Sequence, residues 1–298
     1  MTSQQDEMII ARDPDIEEIS NRLFIHPISD WLATKLAKKN VHPNWLSMTG
    51  LFCGIIASFC YFQSPSPQAI LWGFVFMVGW HIFDGADGHL ARLTNKASAV
   101  GKIIDGLADY SVFGAVYIAL TILSYNSLGT AAFYLLGGAI ISHILQSATY
   151  ERQREVYRFW VYELEYKASA NTQNKQAKHG VVSTIANSLN QTYLWVQNIL
   201  TQQNMIEEHL PRFQALPKDA KEQVRLEYQL RFAPQIRLWT LMSANLHTLA
   251  LFLFTYFGNP WSYFLFEIIG LNLLLSTLIL HQRHMNNNFI KWFDSQTT

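Results

Sequence analysis

Long apolar stretches alternate with polar ones along the chain. They lie at roughly 46–62, 69–83, 107–125, 131–148, 236–257 and 261–280. A helix needs about 20 predominantly apolar residues to cross the hydrocarbon core of a bilayer, and several stretches approach that length. The second stretch is short, but it lengthens if its helix continues into the polar residues that follow. The pattern therefore predicts an all-α integral membrane protein, built as a six-transmembrane-helix bundle.

The basic residues indicate how this bundle is oriented. With six spans, both termini and the loops at 84–106 and 149–235 share one side of the membrane. Every lysine and arginine falls on that side or at its boundary, whereas the opposite loops, QSPSPQ, NSLG and GNPW, contain none. Cytoplasmic loops carry such an excess of basic residues. We therefore expect a multi-pass protein with both termini in the cytoplasm. We expect no cleavable signal peptide, because the first 20 residues are polar and acidic.

Two different segments precede the first span. Residues 1–21 are polar and acidic, which predicts a flexible tail. In residues 22–43, apolar side chains recur at helical spacing and lysines follow them: Phe24, Ile28, Trp31, Leu32 and Leu36, with Lys35, Lys38 and Lys39. This spacing predicts an amphipathic helix in the cytoplasmic interface, with its lysines toward lipid phosphates. The alternative is an amphipathic helix packed on protein.

The remaining chain divides at a polar insertion. Spans one to four would occupy residues 44–150, and spans five and six with a cytoplasmic tail would occupy residues 236–298. Residues 151–235 carry mixed charges and several helical patterns, broken by the flexible stretch ASANTQNKQAKHG. We expect a helical cytoplasmic insertion between spans four and five. Packing, dimerisation and contact with the membrane surface are the roles that its sequence leaves open.

Four aspartates lie beside the predicted spans two and three. Asp84 and Asp87 are three residues apart, and Asp105 and Asp109 are four apart, so each pair shares one face of a helix. A short turn joins the two helices, which predicts antiparallel neighbours whose four carboxylates converge at one depth. Four close negative charges repel each other, and two divalent cations would cancel them. An all-oxygen carboxylate site suits Mg²⁺ or Mn²⁺.

Small residues and one arginine accompany the aspartates. Gly88, Ala91 and Gly101 leave room for a bulky group close to the backbone. Arg92 offers a planar fork of donors that suits phosphate oxygens. Metals, an arginine and open backbone together indicate phosphoryl or nucleotidyl chemistry at a membrane surface.

The complete pattern resembles the signature of a known family. It reads Asp84-x2-Asp87-Gly88-x2-Ala91-Arg92-x8-Gly101-x3-Asp105-x3-Asp109. This resembles the CDP-alcohol phosphatidyltransferases, since all eight fixed residues stand at the right spacings across 26 positions. The Pro43-Asn44 pair, the amphipathic helix and the six spans also resemble the family, whereas the insertion departs from its compact members.

The resemblance implies a role for each motif residue. Asp84, Asp87 and Asp105 would bind two divalent cations, with Asp109 near or bridging the second. Asp109 would be the general base that takes the proton of the acceptor hydroxyl. The alkoxide would then attack the β-phosphorus of the CDP-linked donor, and CMP would leave. The CDP site would be lined by Asp87, Gly88, Ala91, Arg92 and Gly101.

Three functions are compatible with the residues. The resemblance implies transfer of a phosphatidyl group from CDP-diacylglycerol to an alcohol at a cytoplasmic active site, and the length and six spans favour this reaction. The alternative is a CDP-linked aminoalcohol that reacts with diacylglycerol or ceramide. A more distant alternative is a cation or proton transporter, because acidic groups in a bundle also mark such pathways. Against it, the carboxylates cluster at one depth, with only Glu267 toward the far side.

The expected partners follow from the same observations. They are the CDP-linked donor, the alcohol acceptor and the lipid bilayer. A homodimer is the assembly that the resemblance allows, since members of the family commonly pair. The 22 basic and 22 acidic side chains balance, which gives no indication of a nucleic-acid partner.

Other polar residues have two interpretations each. His89 contacts phosphate or is a solvated interfacial histidine, and His81, His143 and His247 lack ligand spacing and are expected to bridge helices. A phosphorylated acceptor would need a second cationic site, for which the candidates are Arg152, Arg154 and Arg237. The alternative is that these arginines extend toward lipid headgroups. Arg152 and Arg154 are two apart, so a helix turns them to different sides.

Overall fold

The computed structural model describes residues 15–97, 99–163, 200–201 and 203–297, without the side chains of 99–105, 203–207 and 297. Within these ranges every regular element is helical. The α-helices are α1 (His26–Ala37), α2 (Asn44–Phe62), α3 (Pro67–Leu93), α4 (Ala99–Leu128), α5 (Ala131–Tyr162), α6 (Gln203–Ala215), α7 (Lys218–Trp239), α8 (Ala244–Phe257), α9 (Pro260–Leu265) and α10 (Asn272–Thr297). Most of the predicted acidic tail and the stretch ASANTQNKQAKHG lie outside the described residues.

Several helices are long and apolar enough to cross a membrane. In the part of the chain that the structure describes, five qualify: Asn44–Phe62, Pro67–Leu93, Gly106–Leu128, Ala131–Tyr162 and Pro260–Gln296. The count reaches six when Lys218–Met242 and Ala244–Phe257 are taken as one span. The prediction of an all-helical, multi-pass membrane protein is confirmed, and the six-span count stays a prediction.

Two helices extend beyond their apolar stretches, and the first of these extensions confirms the prediction. The second apolar stretch continues through the first aspartate pair, because α3 runs for 27 residues from Pro67 to Leu93. The hydroxyl of Ser66 caps its start by accepting a hydrogen bond from the Ala69 amide. The fourth stretch likewise continues into the insertion, since α5 reaches Tyr162.

The apolar pattern from 236 to 257 suggested one continuous helix for the fifth stretch. The structure shows two helices instead. α7 ends at Trp239, a 3₁₀ turn covers Thr240–Met242, and Ser243 is extended with φ −80° and ψ 159°. Serine in this conformation is typical before a new helix, and α8 begins at the next residue. The hydrophobicity of a sequence predicts which segments cross a membrane, but it does not reveal a break in the backbone within such a segment.

The chain forms two compact units, which are described separately. The first contains the described parts of 1–142 and 244–270. In it, α2 packs against both α3 and α4. Gly54 permits the contact with α4, because a Cβ at this position would lie 2.3 Å from a Val112 methyl carbon. The core of this unit is apolar and largely aromatic and includes Tyr61, Met77, Trp80, Phe113, Tyr117 and Phe264.

α1 also packs on α3, so part of the predicted apolar stripe faces protein. Ala33 and Ala86 are fully buried beside Leu46 and Leu90, and Leu32 and Leu36 pack against this cluster. Other members of the stripe point away from the core, since Phe24 is 53% exposed and Trp31 57% exposed. The helix therefore combines a face packed on protein with an exposed aromatic face.

The second unit contains the described parts of 143–243 and 271–298. Its core is an aromatic cluster that joins the end of α5 to α6, α7 and α10. Trp160 stacks on Tyr228 with ring centroids 5.5 Å apart, and Phe289 meets the edge of Trp160 at 5.4 Å. The described helices of the insertion thus fold onto the last helix of the chain.

Candidate active site

The end of α3 presents the first half of the aspartate motif. Asp84, Gly88 and Arg92 follow each other at intervals of four residues and share one helix face. The nearest side-chain atom to a Cβ built at Gly88 is Arg92 Nη1, at 3.5 Å. The missing side chain of Gly88 therefore leaves space beside the Arg92 guanidinium, where an anionic group can approach the backbone.

Asp87 is the buried member of the first pair. It is 5% exposed, and one of its carboxylate oxygens accepts a hydrogen bond from the Ser47 hydroxyl of α2. Ser47 is itself 8% exposed. Sequence reasoning missed Ser47, because it lies 40 residues from Asp87 and belongs to no motif. The only signal near it was the Pro43-Asn44 pair at the start of α2.

The second half of the motif lies on α4. The Trp80 and Phe113 rings meet edge to face with centroids 5.4 Å apart. Trp80 comes four residues before Asp84, and Phe113 comes four residues after Asp109. Asp84 and Asp109 therefore each lie one helical turn away from this ring contact. Both are displaced toward the short connection that joins α3 to α4. Both residues are half-buried.

Gly101 and Asp105 lie in the first two turns of α4. The side chains of this segment, residues 99–105, are outside the described part of the chain. The convergence of all four carboxylates stays a prediction. Convergence requires a short connection between the two helices. The backbone meets this requirement, because α3 ends at Leu93 and α4 begins at Ala99.

The structure excludes one of the two environments expected for His89. It is 5% exposed, and its Nδ1 lies 2.5 Å from the Asp30 carboxylate on α1. The expectation of a solvated interfacial histidine is wrong, because α1 covers this face of α3. The Asp30 contact occupies Nδ1 alone, so contact between Nε2 and a phosphate stays a prediction.

A second polar cluster lies deeper in the same unit. Glu267 is fully buried and accepts a hydrogen bond from the Tyr117 hydroxyl at 2.5 Å. Its Oε1 lies 3.3 Å from His247 Nδ1, and Tyr263 is 3.1 Å from both His247 and Tyr117. These contacts join helices from different spans.

His81 also joins two helices, because its Nε2 lies 2.9 Å from the Thr248 hydroxyl. The expectation that His81 and His247 bridge helices agrees with these contacts, and His143 is a buried residue of α5.

The three arginines considered for the acceptor lie in the second unit. Arg152 is fully buried and donates to Glu155 at 2.8 Å, whereas Arg154 is 28% exposed at its side chain and donates to Glu151 at 3.1 Å. The predicted divergence of Arg152 and Arg154 is thus observed. Arg237, near the end of α7, is exposed.

The sequence profile of the CDP-alcohol phosphatidyltransferase family matches residues 40–202, which is more than half of the chain and includes the whole aspartate motif. The chain belongs to this family. No significant match was found among solved structures.

Three curated relatives give the CDP-alcohol phosphatidyltransferase match more detail. A CDP-diacylglycerol–serine O-phosphatidyltransferase of Helicobacter pylori is 34% identical over 104 residues, which are 33% of this chain and 42% of the relative. The same enzyme from a second strain is 33% identical over 104 residues, with the same shares of both chains. A bifunctional IPC transferase and DIPP synthase of Archaeoglobus fulgidus is 26% identical over 121 residues, 41% of this chain and 23% of the relative. The chain thus spans less than half the length of the curated relatives it matches.

The described motif residues fit the divalent cations that CDP-alcohol phosphatidyltransferases use. Asp84, Asp87 and Asp109 supply only carboxylate oxygens, which are the ligands that Mg²⁺ and Mn²⁺ prefer. Asp87 is also oriented by the Ser47 hydroxyl, and ligating carboxylates usually have such an outer hydrogen-bond partner.

Proposed function

We propose that this protein transfers a phosphatidyl group from CDP-diacylglycerol to a water-soluble alcohol and releases CMP. The observation that carries the proposal is the Trp80–Phe113 contact, because it sets Asp84 and Asp109 one turn from the same point on two adjoining helices. A motif spread over 26 positions of sequence then serves one reaction centre.

In this proposal the aspartates hold two divalent cations, Mg²⁺ or Mn²⁺. Asp84, Asp87 and Asp105 would be the principal ligands, and Asp109 would contribute to the second ion. Bound cations neutralise negative charge on the transferring phosphoryl group and on the leaving group. Ser47 keeps the Asp87 carboxylate in a fixed orientation through its hydrogen bond.

The CDP part of the donor lies along one face of α3 and the first turns of α4. Gly88 provides the space beside Arg92, whose guanidinium donates to phosphate oxygens. Asp87, Ala91 and Gly101 complete this lining. The diacylglycerol part extends into the bilayer.

Asp109 carries the proton transfer. Its carboxylate accepts the proton of the acceptor hydroxyl while the hydroxyl oxygen bonds to the β-phosphorus. The bond between that phosphorus and the bridging oxygen breaks, and CMP leaves with the bridging oxygen. Asp109 suits this role because it lies one turn deeper on α4 than Asp105, where it is less committed to the cations.

Serine is the first acceptor to test, since two relatives carry serine in their names. A phosphorylated acceptor requires a second cationic site, for which we propose Arg152 or Arg154 together with Arg237. Arg154 and Arg237 are the more accessible of the three, because Arg152 is fully buried and paired with Glu155.

The proposal also places the protein in its membrane. Six spans, with both termini and the aspartates at the cytoplasmic side, fit the absence of basic residues from the opposite loops. α1 lies in the cytoplasmic interface, with the exposed rings of Phe24 and Trp31 among the lipids. Lys35 supports this placement, because its Nζ lies 3.9 Å from the centre of the Trp31 ring and can extend toward headgroups.

The experiment uses purified full-length protein in lipid nanodiscs. CDP-dioleoylglycerol, Mn²⁺ and one alcohol at a time are supplied, and CMP release and the mass of the lipid product are measured. We expect CMP in equal amount to a new phospholipid, and neither product from the Asp87→Asn variant. Product from CDP-ethanolamine and diacylglycerol alone would favour the alternative reaction. No CMP from either donor would overturn the proposal.

A further inference from the structure

Two adjacent residues of α1 hold α3 at two separate points. The Ser29 hydroxyl donates to the Ile82 carbonyl oxygen at 2.8 Å, and the Asp30 carboxylate lies 2.5 Å from His89 Nδ1. Ile82 comes two residues before Asp84, and His89 comes two residues after Asp87. The two contacts therefore bracket the first aspartate pair.

Both contacts are partly buried. Ser29 is fully buried, and the side chains of His89 and Asp30 are 7% and 27% exposed. A hydrogen bond with a carboxylate acceptor is about twice as strong as one between neutral groups, and low local polarity strengthens it further. These contacts therefore restrict the sliding and rotation of α3 against α1.

Gly85 allows α1 to come this close. A Cβ at this position would lie 3.0 Å from Ser29 Oγ and 3.5 Å from Ser29 Cβ. Gly85 lies between the two aspartates but is not one of the eight fixed motif residues. The packed pair of Ala33 and Ala86, both fully buried, continues the close contact along the helix.

The contacts occur on a face of α3 that adjoins the motif face. Ile82, Gly85 and His89 recur at i, i+3 and i+7 and form one stripe of α3. Asp84 and Gly88 lie on the neighbouring stripe of α3, whereas Arg92, seven residues after Gly85, lies close to the side that faces α1. Ser29 and Asp30 act on the motif through these contacts with α3, which is the role of positioning residues.

We propose that Ser29 and Asp30 of α1, with Gly85 and His89 of α3, form a clamp that fixes the register and rotation of the aspartate pair for cation binding. The inference rests on the proposed function of the aspartates as cation ligands. It adds an element outside the motif that sets cation affinity. Outer partners of ligands typically change metal affinity by about 10–100-fold when they are replaced.

The first test is a double-mutant cycle with Mn²⁺ binding as its readout. The full-length protein is purified in detergent, and free Mn²⁺ is measured by electron paramagnetic resonance, which requires no turnover. Gly85→Ala should weaken Mn²⁺ binding about 10-fold, because its Cβ requires Ser29 to shift by a few tenths of an ångström and so disturbs its bond to Ile82. Ser29→Ala should have a smaller effect. The double variant should bind like Ser29→Ala alone, since the hydroxyl that the new Cβ would meet is absent.

The second test separates the Asp30 contact from folding. Asp30→Ala should weaken Mn²⁺ binding, whereas Asp30→Asn retains an acceptor oxygen for His89 and should recover most of it. Thr34→Ala is the matched control, because Thr34 is an exposed residue of the same helix. In turnover assays, the Mn²⁺ concentration for half-maximal rate should rise, while the KM of the alcohol acceptor stays constant.

The outcomes are distinguishable. Wild-type Mn²⁺ affinity in both Gly85→Ala and Asp30→Ala would overturn the clamp. Additive losses in the double variant would also overturn it, because the steric relation between Gly85 and Ser29 would be absent. Mn²⁺ binding that weakens as described, in a wild-type protein that releases no CMP, would support the clamp and contradict the proposed reaction. In each assay the Asp87→Asn variant serves as the reference for complete loss of the cation site.

Discussion

The hydroxyl of Ser47 donates a hydrogen bond to the carboxylate of Asp87 across the interface of α2 and α3. Both residues are buried, so the bond is protected from water and leaves the carboxylate a single favoured orientation. A residue that no motif contains therefore controls the direction in which a motif residue presents its oxygens.

We predict that Ser47→Ala weakens cation binding by about 10-fold, the lower end of the effect of an outer hydrogen-bond partner. Ser47→Thr retains the hydroxyl and should remain near wild type. Mn²⁺ titration of the purified protein measures the change. Thr49→Ala is the control, because Thr49 is exposed on the same helix and its hydroxyl bonds to the Trp45 carbonyl. Equal affinities in Ser47→Ala and Thr49→Ala would contradict the prediction.

Removal of the divalent cations should abolish activity. The aspartates are expensive to keep charged close together without cations, so the proposed site requires them. EDTA-treated membranes should release no CMP, and added Mn²⁺ or Mg²⁺ should restore the rate. Asp84→Ala, Asp87→Ala and Asp105→Ala should remain inactive after the cations are restored. Full turnover in EDTA would show that the carboxylates have another role.

Asp109→Asn should stop transfer while it largely spares binding of the CDP-linked donor. Asparagine keeps the shape of the side chain and an oxygen, but it does not accept the proton of the acceptor hydroxyl. Equilibrium binding of CDP-diacylglycerol and single-turnover CMP release measure the two effects separately. Loss of donor binding as complete as in Asp84→Ala would identify Asp109 as chiefly a ligand.

The sequence predicted the elements of this site better than their contacts. Asp84 and Asp87 were predicted to lie on one helix because helical spacing is local, and α3 contains both residues. The contacts of Asp87 with Ser47 and of His89 with Asp30 connect residues 40 and 59 positions apart. Periodicity within one helix does not carry this information. The environment of His89 was wrong for the same reason, since nothing local announced that α1 covers it.

A phosphorylated acceptor makes a specific prediction for the arginines. Loss of one charge-assisted contact should raise the acceptor KM by about 10-fold or more and leave the donor KM nearly constant. Arg152→Ala, Arg154→Ala and Arg237→Ala are compared in initial-rate assays. Arg152→Lys is measured beside Arg152→Ala, because Arg152 is fully buried and its truncation to alanine affects packing. Unchanged acceptor kinetics in all three alanine variants would indicate an uncharged acceptor.

Glu267→Gln should lower stability without changing cation affinity. Glutamine still accepts the Tyr117 hydrogen bond but loses the charge opposite His247. Hydrogen bonds between membrane helices are worth about 1–2 kcal/mol at most, so we expect the Tm in detergent to fall by a few degrees. Ser276→Ala, at an exposed position of α10, is the control. A large loss of Mn²⁺ binding would instead connect Glu267 to the aspartate site.

The partners of Glu267 also have a consequence for biosynthesis. Glu267 belongs to the most carboxyl-terminal of the candidate spans, whereas Tyr117, His247 and Tyr263 precede it in the chain. A carboxylate is costly in hydrocarbon unless donors surround it. Because translation proceeds from the amino terminus, Tyr117 and His247, which contact Glu267 in the described part of the chain, are synthesised before the carboxylate that needs them. The order of residues along the chain thus limits the time that Glu267 spends facing lipid alone.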